Sequence, residues 1–345
     1  MLHIEQEIAE QPEVIRRLLG GQKENAKTIA TAIRDFDPAF VCIAARGTSD
    51  NAGRYAQYLL GIQTGLSVAL ATPSLHTLYE APPNLSRALT IGISQSGQSE
   101  DVRRVLDDAR GQGGLTLGIT NDPASPLATT AAHHLFIDAG KEVSVAATKT
   151  YTAQLAAIAL LVTQLADQAE LHESLQKLPD FAAQTLDTSD KIADWVQRYR
   201  YMERFAAIGR GYNYATAYEV GLKIKELCYI TGEQYSEADF RHGPIALIQS
   251  GFPVIVFAAR GKTLPLILDL LKRLREQQAE CLLIANDDAP APLAQYVMPF
   301  PDAIPEWLSP VAAVIPGQVF AMRLAVERGH QVDEPRGLKK VTVTE

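Results

Sequence analysis

The sequence predicts two tandem α/β units, each built around a doubly wound parallel sheet. The first observation behind this prediction is that short apolar strands alternate with helical patterns along the 345 residues, as they do in parallel-sheet proteins. The second is an internal repeat. Arg46-Gly47 and Arg210-Gly211 lie 164 positions apart, and each pair ends a strand and opens a helix. The same offset separates Ser94 from Ala258, so we expect two copies of one unit.

The first copy follows a polar helical lead-in over residues 5–34, in which Pro12 stands at a helix start. Its predicted strands are 40–45, 66–71, 89–93, 115–119 and 134–137. Its predicted helices are 52–61, a helix that begins after Ser99 and carries Val102, Val105, Leu106 and Ala109 on its apolar face, and an alanine- and leucine-rich helix that ends near Asp167.

The second copy is preceded by a polar helical connection over residues 168–202, with a break at Pro179. A strand at 205–208, a helix at about 215–228 and a strand at 255–257 then restart the pattern. The predicted domain division is a lead-in (1–34), a first subdomain (35–167), a connection (168–202), a second subdomain (203–330) and a tail (331–345).

Residues 94–99, Ser-Gln-Ser-Gly-Gln-Ser, are the most informative stretch of the first copy, and we call them the serine loop. The loop follows a buried strand and places the hydroxyls of Ser94, Ser96 and Ser99, with the Gln95 amide, at a helix N-terminus. Such a corner binds anions, phosphate above all. The alternative is that the serines only cap the helix. The second copy has Ala258-Ala259-Arg260-Gly261 here, which predicts one phosphate site per chain.

Composition excludes several classes of protein. A net charge of −8 without a basic run argues against nucleic acid or an anionic membrane as the partner. The start of the chain lacks the pattern of a signal peptide, and the apolar helix at 155–166 is interrupted by polar residues, so we expect a soluble cytoplasmic protein. Cys42, Cys228 and Cys281 are far apart in apolar surroundings, which predicts reduced core residues and no metal site.

Candidates for acid–base chemistry stand in the second copy. Glu219, Lys223 and Glu226 share one face of a helix, a spacing that by itself is typical of a solvent-exposed ion-pair ladder. The segment that follows contains His242 directly before Gly-Pro, which predicts a loop histidine able to shuttle protons near neutral pH.

The C-terminal stretch 333–345 contains Lys339 and Lys340 and ends in an alternation of Val341 and Val343. A frayed tail is the default for a last stretch. The alternation favours instead a tail that docks and turns one of the lysines toward a cleft, where a lysine in a dry pocket can lose its proton and form a Schiff base with a carbonyl.

Six ordered motifs resemble the sugar isomerase (SIS) domain family over essentially the whole chain, in particular the isomerase half of glucosamine-6-phosphate synthase and its standalone relatives. A segment at Glu7-Ile8-Ala9-Glu10-Gln11-Pro12 is also similar to the start of that isomerase half. The motifs are Gly47-Thr48-Ser49, Ser94-Gln95-Ser96-Gly97-Gln98-Ser99, Val145-Ala146-Ala147-Thr148-Lys149, Leu222-Lys223-Ile224-Lys225-Glu226, His242-Gly243-Pro244 and Pro335-Arg336-Gly337-Leu338-Lys339-Lys340. The resemblance implies tandem flavodoxin-like subdomains and a phosphosugar ligand.

The roles that the resemblance implies fall into two groups. Binding is assigned to Ser94, Gln95, Ser96 and Ser99 on the phosphate, to Thr48, Ser49 and the Val145 backbone on the sugar, and to Lys339 beside them. Catalysis is assigned to Glu226 as the base between C1 and C2, Lys223 as its support, His242 as the group that opens the ring from a second subunit, and Lys340 on the open-chain carbonyl. A homodimer without metal or organic cofactor is implied.

Departures from the synthase pattern direct the choice of reaction. The synthase has a cysteine where this chain has Arg46, Lys339 replaces a small residue, and the first residues hold no cysteine that could act as a glutaminase nucleophile. Without a tethered ammonia source, mass action favours removal of an amine from C2. The resulting hypothesis is a glucosamine-6-phosphate deaminase. The alternatives are a deglycase acting on an amine-linked phosphosugar, a ketose–aldose isomerase, and a non-catalytic phosphosugar sensor.

Overall fold

The computed structural model describes residues 2–340, which form two compact units. The first unit comprises residues 13–142 and 149–177 with Lys339 and Lys340; the second comprises residues 2–12, 143–148 and 178–338. Val341 and Val343, on which the predicted docking of the tail rested, lie outside the described residues. The domain boundaries predicted from the sequence stay predictions.

The secondary structure alternates as the sequence predicts. The α-helices are α1 (His3–Ala9), α2 (Gln11–Gly21), α3 (Lys23–Phe36), α4 (Gly47–Thr64), α5 (Ser74–Thr77), α6 (Glu100–Gly111), α7 (Pro126–Thr130), α8 (Lys149–Ala166), α9 (Ala169–Gln176), α10 (Leu178–Ser189), α11 (Asn213–Cys228), α12 (Glu237–Arg241), α13 (Leu264–Glu276) and α14 (Ser309–Glu327). The strands are β1 (Phe40–Ala45), β2 (Val68–Leu70), β3 (Ala88–Ser94), β4 (Leu115–Thr120), β5 (His133–Phe136), β6 (Arg204–Gly209), β7 (Thr231–Ser236), β8 (Pro253–Ala258), β9 (Glu280–Ala285) and β10 (Tyr296–Pro299). Short 3-10 helices lie at Asp190–Asp194, Val196–Tyr199, Pro244–Leu247 and Ala291–Leu293.

The sheet of the first unit has five parallel strands in the order β2-β1-β3-β4-β5. The chain starts in the middle of the sheet, adds β2 on one side and then crosses to add β3 on the other. The strand order therefore reverses between β1 and β3. Ligands of doubly wound proteins bind outside the carboxyl ends of the strands at such a switch point.

The second unit repeats this topology. Its five parallel strands have the order β10-β9-β8-β6-β7, so the reversal falls between β6 and β8. The prediction of two tandem doubly wound subdomains is confirmed. The five strands predicted for the first copy are present to within two residues at each end.

Helix α6 shows how the first core forms. Its apolar face packs with residues of β1 and β3, and the four residues predicted for that face are all buried. Gly92 in β3 permits the close approach, because a Cβ there would come within 2.8 Å of the Leu106 side chain.

Helix α4 begins earlier than predicted. The predicted helix covers residues 52–61, but α4 begins at Gly47 and ends at Thr64. The N–H groups of Ser49 and Asp50 donate to the Arg46 carbonyl. Small polar residues are common in a first helical turn because they satisfy its exposed N–H groups, so their presence does not exclude a helix.

The longest helix was not recognised from the sequence. The sequence analysis predicts an apolar helix at 155–166 but none at α14, which spans 19 residues and includes Pro316. Among residues 2–340, α14 alone is long and apolar enough to match a membrane span by length and composition, and 89% of its matching window is buried inside the protein. Gly317 brings α14 against Val220 of α11, within the second unit.

The three cysteines are free and buried, as predicted. Burial raises the pKa of the Cys42 thiol to about 11 and those of the Cys228 and Cys281 thiols to about 12. The thiolate is the reactive form, so raised pKa values and burial both suppress reaction.

We expect all three thiols to resist 5,5′-dithiobis(2-nitrobenzoate) at pH 8 in the native protein and to react fully in guanidinium chloride. At that pH a thiol with a pKa near 11 is thiolate in roughly one molecule in a thousand, and the reagent cannot reach the core. Release of the coloured thiolate, followed by absorbance, checks the prediction. Stoichiometric labelling of one cysteine within minutes in native buffer would contradict it.

Candidate functional site

The serine loop lies at the carboxyl end of β3, at the switch point of the first unit. Ser94 is buried as the last residue of the strand, and its Oγ accepts a hydrogen bond from the Gly97 N–H at 3.1 Å. The Ser94 and Ser99 hydroxyl oxygens are 3.3 Å apart. Gly97 has φ +64°, and a Cβ there would overlap the Ser125 side chain, so the turn requires glycine. The loop is thus a tight, preformed turn.

Ser99 occupies the N-cap position of α6, but its side chain makes no capping hydrogen bond. Its hydroxyl faces Ser94 instead. The alternative in which the serines only cap the helix therefore does not describe Ser99. Among residues 2–340, no carboxylate accepts a hydrogen bond from the backbone of the serine loop, so the corner offers its donors at a helix N-terminus.

Thr48 and Ser49 lie on the other side of the same switch point, in the first turn of α4. Ser49 is buried, and its Oγ accepts a hydrogen bond from the Gln154 amide of α8 at 2.9 Å. The amide fixes the orientation of the hydroxyl and leaves its O–H to donate. Thr48 is half-buried beside it. The fold thus brings the two predicted polar segments of the first unit to one edge of one sheet.

The corresponding corner of the second unit is filled by the chain itself. The carboxylate of Glu306 accepts hydrogen bonds from the N–H groups of Lys262 and Thr263 at 3.0 and 3.3 Å, and from the Thr263 hydroxyl at 2.9 Å. Gly261 lies directly under it, since a Cβ there would overlap the Glu306 side chain. Glu306 takes the place that a bound anion would have. The sequence analysis did not find Glu306, and no local pattern marks it.

Removal of this carboxylate is expected to create an anion site. We expect Glu306→Ala to lower the free energy of unfolding by about 1–2 kcal/mol, because donors at the corner lose their acceptor. Sulfate should bind there and restore part of the loss. Urea denaturation in sodium sulfate and in sodium chloride of equal ionic strength checks this, with the unsubstituted protein as control. Equal stabilisation of both proteins by sulfate would contradict the prediction.

Glu219, Lys223 and Glu226 form an acid–lysine cluster on α11. Lys223 Nζ lies 2.5 Å from Glu226 Oε2 and 3.4 Å from Glu219 Oε1. The prediction of a solvent-exposed ladder is wrong: the side chains of Glu219 and Lys223 are 0% and 1% exposed, and that of Glu226 is 22% exposed. The face that carries the cluster turns inward, in a helix that packs against α14. One carboxylate at the edge of a buried ion pair therefore remains accessible.

His242 lies in a turn directly after a short helix, in agreement with the prediction of a loop histidine. The sequence analysis did not predict this helix, α12, which spans Glu237–Arg241 and has His242 as its C-cap. Ser236 nucleates the helix, because its Oγ accepts a hydrogen bond from the Asp239 N–H at 3.2 Å. His242 itself is solvent-exposed, and Gly243 then takes φ +139° and turns the chain.

The end of the described chain is held at two places. In the second unit the Arg336 guanidinium stacks on the Tyr229 ring, 4.2 Å from its centroid. In the first unit Lys340 Nζ lies 2.7 Å from Oε2 of Glu142, a carboxylate that is 0% exposed and also accepts a hydrogen bond from the Thr150 hydroxyl at 2.7 Å. The frayed alternative is therefore wrong up to Lys340. Lys339 is exposed.

The segment with Val145 belongs to the second unit and is fixed from both sides. The Val145 N–H donates to the Asp333 carbonyl at 3.1 Å. The buried Glu7 carboxylate accepts hydrogen bonds from the preceding residues Val143 and Ser144. With its N–H engaged, Val145 has its carbonyl to offer a ligand. The sequence analysis assigns Glu7 no role and names it only in the segment that is similar to the start of the isomerase half.

Two further features of the described residues bear on chemistry. His76, to which the sequence analysis assigns no role, is buried in the first unit, and its Nδ1 lies 2.8 Å from Asp108 Oδ2.

Within residues 2–340, no group of three or more His, Cys, Asp or Glu residues could hold a metal ion.

Fold and site define a tandem doubly wound α/β protein with a corner of hydroxyl and N–H donors at one switch point and an acid–lysine cluster in its second unit. The chain belongs to the SIS domain family, whose sequence model matches residues 40–164 and 201–327. The family resemblance inferred from the six motifs is thereby confirmed.

The individual relatives carry names that refer to sugar phosphates. Glutamine–fructose-6-phosphate aminotransferase (isomerizing) of Thermus thermophilus is 35% identical over 352 residues, which cover 98% of this chain and 58% of that protein. The chain thus spans somewhat more than half the length of this relative. A solved structure from Silicibacter pomeroyi DSS-3, assigned as a phosphosugar isomerase, is 31% identical with a TM-score of 0.84 and coverage of 96% and 99%. Glucosamine-6-phosphate deaminase of Thermotoga maritima shares the fold, at 21% identity, a TM-score of 0.83 and coverage of 99% and 100%.

Proposed function

We propose that the protein is an aminosugar-phosphate deaminase that converts glucosamine 6-phosphate and water into fructose 6-phosphate and ammonia. The observation that carries the proposal is the acid–lysine cluster, in which the partly exposed Glu226 carboxylate contacts the buried Lys223 ammonium at 2.5 Å. A carboxylate held at the edge of a buried ion pair is suited to move a proton between two carbons.

The serine loop supports the choice of a phosphorylated substrate. Ser94, Gln95, Ser96 and Ser99 hold the phosphate at the switch point, where a helix N-terminus and hydroxyl donors favour an anion. Thr48, Ser49 and the Val145 carbonyl hydrogen-bond the sugar hydroxyls. Because Glu306 occupies the second corner, we assign one phosphate to each chain.

The proposed reaction conserves all atoms. His242, supplied by a second subunit of a homodimer, moves the proton that opens the ring to the C1 aldehyde. Glu226 takes the proton from C2 and returns it to C1, while one amine proton passes to the C1 oxygen, which leaves an imine at C2 and a hydroxyl at C1. Lys223 keeps the Glu226 carboxylate in position. Lys340 contacts the open-chain carbonyl oxygen, with Lys339 beside it. Water adds to the imine carbon, and ammonia leaves with the C–N bonding electrons.

Deamination is preferred to amination because it needs only water beyond the substrate. The deaminase of Thermotoga maritima, with which this chain shares a fold over 99% of its length, shows that this fold is compatible with deamination. The cytoplasmic location of the present protein stays a prediction.

A second candidate function is a ketose–aldose phosphosugar isomerase. The 31% identity to the Silicibacter pomeroyi protein favours it, and the same Glu226 proton transfer would serve it. A deglycase and a non-catalytic sensor, the other two hypotheses from the sequence, would use the same phosphate site.

Incubation with a panel of substrates, followed by product mass, separates these functions. The panel contains glucosamine 6-phosphate, an amine-linked fructose phosphate and a set of hexose 6-phosphates. The proposal predicts that glucosamine 6-phosphate alone loses an amine. Interconversion of hexose phosphates without ammonia indicates the isomerase, cleavage of the amine-linked sugar alone indicates the deglycase, and binding of fructose 6-phosphate without any turnover indicates the sensor.

A further inference from the structure

Arg46 stands at the switch point without a role in the implied chemistry. It follows β1 directly and is the N-cap of α4. Ala45 pairs with Ile93 in the sheet, so Arg46 and Ser94 are the next residues on two neighbouring strands. The Arg46 side chain is 50% exposed. The sequence therefore places a guanidinium beside the serine loop, at the carboxyl edge of the same sheet.

A buried carboxylate positions this guanidinium. Asp101, in the first turn of α6, is 1% exposed, and its Oδ2 lies 2.6 Å from Arg46 Nε. Its other oxygen accepts the Val102 N–H at 2.9 Å. Asp101 thus ties Arg46 to the helix that the serine loop begins.

The geometry of the pair leaves the rest of the guanidinium available. Asp101 engages Nε, and among the described residues it is the only partner of the Arg46 side chain. Arg103, also in the first turn of α6, differs because all three of its nitrogens are engaged by Glu100 and Asp107. The two Nη amino groups of Arg46 are the part of an arginine fork that binds phosphate oxygens.

We propose that Arg46 is a phosphate-binding residue of this site, held in register by Asp101. The inference rests on the proposed function, because it assumes that the serine loop holds the sugar phosphate. The donors of the loop itself are neutral hydroxyls, an amide and N–H groups, whereas the ligand is a dianion and the protein carries a net charge of −8. A cation at the corner supplies the attraction that these dipoles lack.

The competing explanation is that Arg46 only neutralises the buried Asp101. A double variant separates the two, since Arg46→Gln with Asp101→Asn removes both charges and leaves no buried ion without a partner. A purely structural role predicts that this variant binds phosphate as the unsubstituted protein does. A phosphate-binding role predicts weaker binding in the double variant and in Arg46→Gln alone.

Titration calorimetry with inorganic phosphate is the test, with circular dichroism to verify folding. We expect the double variant to bind phosphate at least 10-fold more weakly, with a shallower dependence of affinity on salt. Arg46→Lys should recover part of the affinity, because an ammonium keeps the charge but cannot bridge Asp101 and phosphate together. Affinity within twofold of the unsubstituted protein in the double variant would overturn the proposal.

The test also separates this inference from the proposed function. Glucosamine 6-phosphate turnover with unchanged phosphate affinity in the double variant would remove Arg46 from the site and leave the deaminase standing. If instead the double variant loses phosphate affinity but the unsubstituted protein releases no ammonia, Arg46 stays a phosphate-binding residue and the deaminase proposal is contradicted.

Discussion

Glu226→Gln is expected to lower the turnover of glucosamine 6-phosphate by roughly three orders of magnitude, within the usual contribution of a general base. The amide is nearly isosteric with the carboxylate but cannot accept the C2 proton. The proposal assigns the phosphate and sugar contacts to other residues, so the dissociation constant for fructose 6-phosphate should change by less than about threefold. Steady-state kinetics and titration calorimetry measure the two effects separately.

The matched control is Glu276→Gln, which makes the same chemical change at an exposed position at the end of α13. It should leave turnover unchanged. Glu226→Asp should retain partial activity, because it keeps the carboxylate but withdraws it by one methylene. Full activity of Glu226→Gln would exclude this residue as the base.

Lys223→Met is expected to lower the free energy of unfolding by about 3–5 kcal/mol, the effect of removing one partner from a buried ion pair. Methionine matches the lysine in length, so lost packing contributes little. The ammonium that both carboxylates of the cluster contact is removed, while Glu219 stays 0% exposed. Urea denaturation followed by circular dichroism measures the loss.

A second substitution isolates the charge effect in the cluster. Lys223→Met with Glu219→Gln replaces the buried charges by neutral groups and should recover more than half of the lost stability. Two results would contradict a stabilising role for the buried ion pair. One is a free energy of unfolding of Lys223→Met within about 1 kcal/mol of that of the unsubstituted protein; the other is a double variant no more stable than Lys223→Met.

The fold was predictable because its central strands are buried on both faces. The run Leu89 to Ile93 is apolar throughout, and β3 extends it by only one residue at each end. Strand β7 was missed because Thr231–Ser236 is polar and lies at the edge of its sheet. Edge strands lack the apolar run that marks a central one.

The site was predictable where it is local in sequence. The serine loop is a single six-residue segment, so its hydrogen-bond donors could be predicted from the sequence without the structure. Arg46 and Asp101 are 55 residues apart, Thr263 and Glu306 are 43 apart, and Lys340 and Glu142 are 198 apart. No spacing rule links such pairs, and only the folded chain brings them into contact.

The predicted solvent exposure of the acid–lysine cluster was wrong for a different reason. The spacing of Glu219, Lys223 and Glu226 correctly placed them on one face of α11. Periodicity gives a shared face but not the direction in which that face points. Charged residues are usually exposed, and this cluster is an exception because its charges pair with one another.

Product analysis of the purified protein with glucosamine 6-phosphate tests the proposed deaminase most directly. Ammonia, measured with glutamate dehydrogenase, and fructose 6-phosphate, measured with phosphoglucose isomerase and glucose-6-phosphate dehydrogenase, should appear in equal amounts. Glu226→Gln should form neither above background. Absence of both products from a folded protein that binds fructose 6-phosphate would contradict the proposed activity.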